Sequence, residues 1–336
     1  MEKKEIVKAG IFGVVIGDAL GVPVEFTSRA ERSADPVTDM REYGTHRQPK
    51  GTWSDDSSMM LATMDSMILH AGIRYDDIME RFRKWSVYGE YTPHGTVFDI
   101  GITCSRAISK YQPGKDPLQF GGCGERDNGN GSLMRIMPVS LYAAMSEEYW
   151  NEDFIRGAAL AVHSASRLTH GHPRSLIGCM LYTSLCHELI FRGERPLPLV
   201  VQDAMDRTFS FYSGAKDCDW FDDAFAAELR KDAYGRLRDI ALFKTLSDAE
   251  IKSSGYVVHT LEAAVWCLLN SSSFEECTLK AVNLGDDTDT VGAVAGGLAG
   301  LCYSYAGIPK KWIDVIVSKE WITKLCEDFA GITAER

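Results

Sequence analysis

Two short acidic clusters, far apart in the chain, contain residue types that bind metal ions. The first spans 54–56 in 51-GTWSDDSSMM-60, and the second spans 286–290 in 284-LGDDTDTVGAVAGGLAG-300. An apolar run with helical spacing follows each cluster, so both predict the N-terminus of a helix. Carboxylate and hydroxyl oxygens are hard donors suited to Mg²⁺, Mn²⁺ or Ca²⁺, and no nearby thiolate or paired imidazole recommends zinc.

Helix capping explains either cluster alone, because acids in a first turn interact favourably with the helix dipole and Ser or Thr caps are common. Asp286, Asp287 and Asp289 together exceed what a cap needs, and their mutual repulsion would be costly in a half-buried site. A bound cation removes that repulsion. The available side-chain oxygens outnumber those that one Mg²⁺ normally takes from a protein, because this ion keeps several water ligands. Two ions about 3.5–4 Å apart would use all of them. Those oxygens belong to Ser54, Asp55, Asp56, Asp287, Asp289 and Thr290.

Three further features could contribute to a site. Glu25 follows a predicted helix end, from which its side chain can project toward the acids, although a lone glutamate is more often exposed to solvent. The loop 128-NGNGSLMR-135 precedes an apolar helix and could direct backbone N–H groups at a diphosphate, or could simply form a capped turn. His170 and His172 form an HxH pair, but two histidines without a third soft ligand rarely make a zinc site.

The elements that must position these residues are helical, because apolar residues recur at steps of three and four and alternating runs are scarce. We therefore predict an all-α fold, a compact single-domain orthogonal helical bundle over 1–336 with a two-metal site at helix ends. The segment 198–247 is a candidate peripheral helical excursion. The predicted helices are 5–20, 57–71, 75–87, 133–146, 153–165, 174–192, 256–269, 274–283 and 289–306.

Glycines line one face of the first and one face of the last of these helices. The first set is Gly10, Gly13, Gly17 and Gly21, and the second set is Gly292, Gly296 and Gly300. A glycine inside a helix costs roughly 1 kcal/mol relative to alanine, so this pattern needs a reason. Close packing of the two faces is the simplest one, and it would bring the acidic ends of both helices together.

Composition limits the class of protein. The chain has 336 residues, 45% of them hydrophobic and 25% charged, which is typical of a globular protein. A formal charge of −11 argues against nucleic-acid or membrane binding. Nine scattered cysteines without a CxxC pair favour a reducing cytoplasm.

The apolar N-terminal stretch contains Asp18 and continues past Val24, which favours a buried helix over a signal peptide. The uncharged 291–308 is also interpreted as a buried helix.

Several motifs together resemble the ADP-ribosylglycohydrolase family, which includes the dinitrogenase-reductase-activating glycohydrolase. They are GDALGVPVEF, GTWSDDSSM, FDIGITC, NGNGSLMR, THGHPRS and GDDTDTVGAVAGGLAG, in the family's order from about residue 8 to residue 308. The resemblance implies an all-α enzyme with two Mg²⁺ or Mn²⁺ ions that removes ADP-ribose from modified side chains.

The resemblance also implies roles for individual residues. Glu25 matches a catalytic glutamate, and Asp99 of FDIG matches an aspartate near the substrate ribose. The implied metal ligands and substrate contacts are Ser54, Asp55, Asp56, Asp287, Asp289 and Thr290, and Gly129, Asn130, Gly131, Ser132 and His170.

The implied chemistry is consistent with these residue types. A ribose diol can bridge two metal ions, and a nearby carboxylate can stabilise an oxocarbenium-like transition state at C1″ and accept a proton. Glu25 is the first candidate for that carboxylate and Asp99 the second. The leading hypothesis is hydrolysis of ADP-ribosyl-arginine in a protein substrate. The alternatives are an ADP-ribosyl-serine or O-acetyl-ADP-ribose hydrolase, a two-metal phosphoester hydrolase, and a non-catalytic ADP-ribose binder.

Overall fold

A computed structural model describes residues 2–145, 154–214 and 222–333. The regular structure of these residues is helical, with isolated β-bridges and no sheet among them, which confirms the all-α prediction. The helices are α1 (Lys3–Gly21), α2 (Arg29–Ala34), α3 (Asp55–His70), α4 (Tyr75–Tyr88), α5 (Ile102–Lys110), α6 (Met137–Met145), α7 (Phe154–Arg167), α8 (Pro173–Ile190), α9 (Leu197–Gly214), α10 (Asp223–Lys231), α11 (Ile240–Lys244), α12 (Val257–Leu269), α13 (Phe274–Val282), α14 (Thr288–Tyr303), α15 (Lys310–Ile313) and α16 (Lys319–Ile332).

The main difference from the predicted helix boundaries lies after the glycine-rich loop. The apolar spacing predicts a helix from residue 133, whereas α6 begins at Met137. Residues 131–135 form turns, closed by the Met134 amide donating to the Asn130 carbonyl at 3.1 Å. Pro138 suits the first turn of a helix, because its missing N–H would have no intrahelical partner there. The loop therefore extends farther than its hydrophobicity indicates.

The glycine faces of α1 and α14 pack directly on each other in antiparallel order, as predicted. A Cβ atom at Gly13 would overlap the Gly296 carbonyl, and one at Gly17 would overlap the Gly292 carbonyl. At the end of the contact the Thr288 hydroxyl donates to the Gly21 carbonyl at 2.8 Å. The C-terminus of α1 is thereby held against the N-terminus of α14.

Most buried apolar side chains form one large cluster around α1, α6, α8, α12 and α14. The buried face of α9 belongs to this cluster, and a smaller cluster lies among α3, α4 and α5. Lys3–Val24 is long and apolar enough to cross a membrane, but 89% of its apolar stretch is buried against the rest of the protein. α1 thus packs as a core helix that carries its C-terminal residues to the centre of the molecule.

Candidate active site

The two acidic clusters meet because the N-termini of α3 and α14 converge. Asp56 lies at the meeting point. Its Oδ2 atom is 3.2 Å from the Ser54 hydroxyl on its own helix and 3.3 Å from the Thr290 hydroxyl on α14. Ser54 is the N-cap of α3, as predicted, and its side chain accepts a hydrogen bond from the Asp56 amide. Residues far apart in the chain therefore form one polar cluster.

Two carboxylate oxygens in this cluster are buried and have no hydrogen-bond partner among the described residues. They are Oδ1 of Asp56 and Oδ2 of Asp289. The other Asp289 oxygen accepts from the Thr290 amide at 2.8 Å. A buried carboxylate oxygen without a donor is costly, whereas a hard divalent cation is a suitable partner for it. The chemistry of these oxygens suits such a cation, and carboxylate oxygens of Asp287, Asp289 and Glu25 lie within 4.8 Å of one another.

The electrostatics of the cluster support the same conclusion. Burial raises the pKa values of Asp55, Asp56 and Asp289 well above their usual range, and the charges of neighbouring acids raise them further. Burial also raises the pKa of Asp287. No Lys or Arg within the described ranges forms an ion pair with these four acids. Cations would compensate this negative charge, which capping alone leaves unbalanced.

Asp18 is a member of the cluster that motif reasoning did not select. It is fully buried in the last turn of α1. Its carboxylate accepts hydrogen bonds from the Ser54 amide at 2.9 Å and from the Ser57 hydroxyl at 2.6 Å. Burial raises the pKa of Asp18 to about 6, although these bonds oppose the shift. An aspartate within an otherwise apolar helical stretch was the sequence signal that could have identified it.

The second cluster divides between the site and the surface. The Asp287 carboxylate accepts from the Asn130 side-chain amide at 2.8 Å, and that amide also lies 2.9 Å from the Thr260 hydroxyl. Asp286 instead is exposed, and its backbone pairs with the segment after Glu25. The Phe26 amide donates to the Asp286 carbonyl at 2.7 Å, and the Asp286 amide donates to the Thr27 carbonyl at 2.8 Å. This pairing holds the Glu25 segment beside α14.

Glu25 projects into the cluster from the end of the short 3₁₀ turn that follows α1. One of its oxygens lies within 4.8 Å of oxygens of Asp287 and Asp289, and its carboxylate also approaches Asp99. His46 Nε2 contacts Glu25 Oε2, a pairing that the sequence did not reveal because His46 lies in a loop without a motif. Burial raises the pKa of Glu25 to about 7, against the lowering effect of the His46 hydrogen bond.

Asp99 lies on the segment before α5, at the edge of the cluster. A carboxylate oxygen of Asp99, a carboxylate oxygen of Glu25 and a ring nitrogen of His46 all lie within 4.8 Å of one another. Two residues later, the Gly101 amide lies 3.4 Å from Asp55 Oδ2. The segment is therefore anchored to the first turn of α3, which brings Asp99 next to the residues selected from the two acidic clusters.

The glycine-rich loop borders the cluster, but several of its polar groups are already used. Gly129 forms an isolated bridge with Tyr256, and the Asn130 amide donates to the Gly255 carbonyl at 3.0 Å. Ser132 is fully buried, with its hydroxyl 2.8 Å from that of Ser166. The ring of His170 packs against Gly131, because a Cβ there would lie 2.8 Å from His170 Cε1. Substrate contact by these residues stays a prediction.

Comparison with known proteins assigns the family. A model of the ADP-ribosylglycohydrolase family matches residues 1–336. The chain belongs to the ADP-ribosylglycohydrolase family. It is similar to the ADP-ribosylarginine hydrolase Tri1 of Serratia proteamaculans, with 30% identity covering 99% of this chain and 81% of that one. A solved structure titled ADP-ribosylglycohydrolase-related protein complex matches with a TM-score of 0.74 and 27% identity, covering 99% of both chains.

This ADP-ribosylglycohydrolase also resembles relatives that are named for other substrates or activities. The ADP-ribosyl-[dinitrogen reductase] glycohydrolase of Rhodospirillum rubrum is 28% identical, over 91% of this chain and 88% of that one. The ADP-ribosylhydrolase ARH3 of Bos taurus is 22% identical, over 89% of this chain and 85% of that one. Family membership makes this protein an enzyme that hydrolyses a glycosidic bond, and the acidic cluster is its candidate active site.

Proposed function

We propose that this ADP-ribosylglycohydrolase removes ADP-ribose from a modified arginine side chain of a protein, with the aid of two Mg²⁺ or Mn²⁺ ions. The two unpartnered buried oxygens, Asp56 Oδ1 and Asp289 Oδ2, are the observation that carries this proposal, because a hard divalent cation is a suitable partner for each of them. The arginine linkage is supported by relatives named for arginine and for dinitrogen reductase, which are 30% and 28% identical to the chain.

The ions would be held by residues of the α3 and α14 first turns. When bound, they would supply Lewis acidity and orient sugar hydroxyls beside the bond that breaks. Hard oxygen ligands favour Mg²⁺ or Mn²⁺ over softer-ligand metals. The oxygens that would hold them belong to Ser54, Asp55, Asp56, Asp287, Asp289 and Thr290.

Glu25 is placed to act on the reacting sugar. Its buried carboxylate is close to Asp287 and Asp289 and is in contact with His46. A carboxylate at this point can stabilise positive charge that develops at C1″ and can accept a proton from the attacking water. Asp99, which lies within reach of the same position, is the second candidate for this role.

The proposal is tested by incubating the enzyme with matched ADP-ribosyl-arginine and ADP-ribosyl-serine peptides and weighing the products. We expect free ADP-ribose and an unmodified arginine peptide when Mg²⁺ or Mn²⁺ is present, and neither when the metal is chelated. Release from the serine peptide alone would contradict the arginine assignment. AMP or inorganic phosphate would indicate a phosphoester hydrolase, and binding of ADP-ribose without turnover would indicate a non-catalytic binder.

A further inference from the structure

The two ring nitrogens of His170 have different surroundings. Nδ1 lies 2.9 Å from the hydroxyl of the preceding residue, Thr169. Nε2 is directed at the glycine-rich loop, where a Cβ on Gly129 would lie 3.5 Å from it. Within the described residues Nε2 makes no hydrogen bond. Whether this nitrogen carries a proton decides whether the ring offers a donor or an acceptor to a ligand in the candidate active site.

The Thr169 hydroxyl is in contact with a buried cation. Arg135 Nη2 donates to Thr169 Oγ1 at 2.8 Å and to the Ala165 carbonyl at 3.1 Å. The Arg135 side chain is only 1% exposed, and its guanidinium lies over the Phe82 ring at 4.8 Å. No carboxylate in 2–145, 154–214 or 222–333 forms an ion pair with it. The Thr169 hydroxyl therefore lies between the Arg135 guanidinium and the His170 ring.

The chemistry of these groups gives the contact between Thr169 and His170 a direction. A guanidinium has donors and no acceptor, so the Thr169 oxygen must accept from Arg135. Accepting from a cation polarises the hydroxyl and makes it a better donor. A threonine oxygen has two lone pairs and one proton, so the polarised hydroxyl can accept from Arg135 and also donate to His170 Nδ1. In that arrangement the proton of a neutral ring is on Nε2. The ring is neutral because burial and the charge of Arg135 lower the pKa of His170 to about 3.

We propose that Arg135 and Thr169 are positioning residues that hold His170 as its Nε2–H tautomer, so that one hydrogen-bond donor faces an oxygen of the ADP-ribosyl substrate. The inference rests on the proposed function, which puts that substrate in the candidate active site. It assigns a task to a buried arginine that pairs with no described carboxylate. It also explains how an enzyme with a formal charge of −11 offers a donor to an anionic ligand without an exposed basic residue.

The backbone around His170 holds the ring in place for this task. The His170 amide donates to the Ser166 carbonyl at 2.8 Å. On the other side, the Gly122 amide donates to the Thr169 carbonyl at 2.9 Å and the Gly171 amide donates to the Gly122 carbonyl at 2.8 Å. Ring position is thus set by the backbone, and the identity of the protonated nitrogen is set by Thr169.

Nitrogen-15 NMR of the histidine-labelled full chain reads the tautomer directly. The His170 signals are assigned by their loss in His170→Gln. At pH 7 we expect an unprotonated Nδ1 and a protonated Nε2 in the wild-type enzyme. A protonated Nδ1, or an even mixture of the two forms, would overturn the proposal. This measurement does not depend on any variant of Arg135 or Thr169 folding.

A matched pair of variants tests whether Thr169 is the cause. Thr169→Val keeps the shape but removes the hydroxyl, and Thr169→Ser keeps the hydroxyl. We expect mixed tautomers and about threefold to tenfold weaker ADP-ribose binding in the valine variant, as for one lost hydrogen bond, and wild-type behaviour in the serine variant. A valine variant with the wild-type tautomer would refute the role given to Thr169. Failure of the wild-type enzyme to bind ADP-ribose would instead refute the proposed function. The NMR result would still decide which nitrogen of His170 is protonated.

Discussion

Asp18, in the last turn of α1, accepts a hydrogen bond from the backbone amide of Ser54, the residue that caps α3. The same carboxylate also accepts from the Ser57 amide at 3.1 Å and from its hydroxyl. The first turn of α3 is thus fixed by a residue of α1, while α1 itself is fixed against α14. One helix therefore positions both halves of the candidate metal site.

Replacing Asp18 tests this arrangement. Asp18→Asn turns an N–H group toward the donors of α3, so we expect a loss of about 1–3 kcal/mol of unfolding free energy and weaker metal binding. Urea denaturation in excess Mn²⁺ and calorimetric metal titration measure the two effects. Asp239→Asn is the control, because this exposed N-cap of α11 keeps its capping oxygen and should change stability by under about 0.5 kcal/mol. Equal effects in both variants would contradict the role given to Asp18.

Asp289→Asn should have opposite effects in the absence and presence of metal. Without metal, removing one of several repelling buried charges should stabilise the fold by about 1 kcal/mol. The amide keeps the oxygen that accepts from Thr290. With Mn²⁺, the wild-type protein gains stability by mass action, and the variant should gain far less. Thermal unfolding with chelator and with Mn²⁺ measures both. The prediction is wrong if Mn²⁺ stabilises both proteins equally.

Glu25→Gln separates catalysis from binding. The amide preserves the size of the side chain but cannot accept a proton or stabilise a developing cation, so we expect hydrolysis to slow by about 10²–10⁴-fold. ADP-ribose affinity should stay within about tenfold, or ~1.4 kcal/mol. Single-turnover kinetics and calorimetry make the comparison, with the exposed Glu42→Gln as the control. Parallel losses in rate and affinity would show that Glu25 only shapes the cleft.

Buried His163 should make the fold sensitive to acid. Burial lowers its pKa to about 3, and its Nε2 lies 2.8 Å from the Tyr212 hydroxyl. Between this value and an unfolded pKa near 6.5, the unfolded chain binds a proton that the folded chain does not, so stability falls as pH falls. His163→Gln should remove up to about 1.4 kcal/mol per pH unit of this dependence below pH 6. Urea denaturation from pH 7 to pH 4 is the measurement, and the exposed His94→Gln should keep the wild-type slope.

The glycine contact between α1 and α14 can be tested with alanine. Gly17→Ala places a methyl group on the Gly292 carbonyl, so the helices must separate, and we expect a loss of about 3 kcal/mol or more. Gly331→Ala is the matched control, since nothing lies within 4 Å of a Cβ at that exposed helical position. It should stabilise the fold by about 0.5–1 kcal/mol. A tolerated alanine at Gly17 would refute direct packing.

The features that could be predicted from sequence were those with a local signature. The glycine spacing predicted the contact of α1 with α14, and the apolar spacing predicted most of the long helices. α5 was missed because it is short and buries only Cys104, Ala107 and Ile108. α16 was missed although its buried residues recur at steps of three and four, from Ile322 to Phe329. His46 could not be found, because its proximity to Glu25 depends on a loop that folds back onto the end of α1. The Arg135–Thr169 contact likewise depends on tertiary packing and not on spacing.

The antiparallel pairing of α1 with α14 joins a segment made early in translation to one made late. A nascent chain exposes the small-residue face of α1 until residues 288–303 have left the ribosome. Contacts between such distant segments form slowly, and the exposed apolar helix invites aggregation in the meantime. We therefore expect the yield of active enzyme to depend on chaperone availability and on the temperature of expression more than on the final stability of the fold.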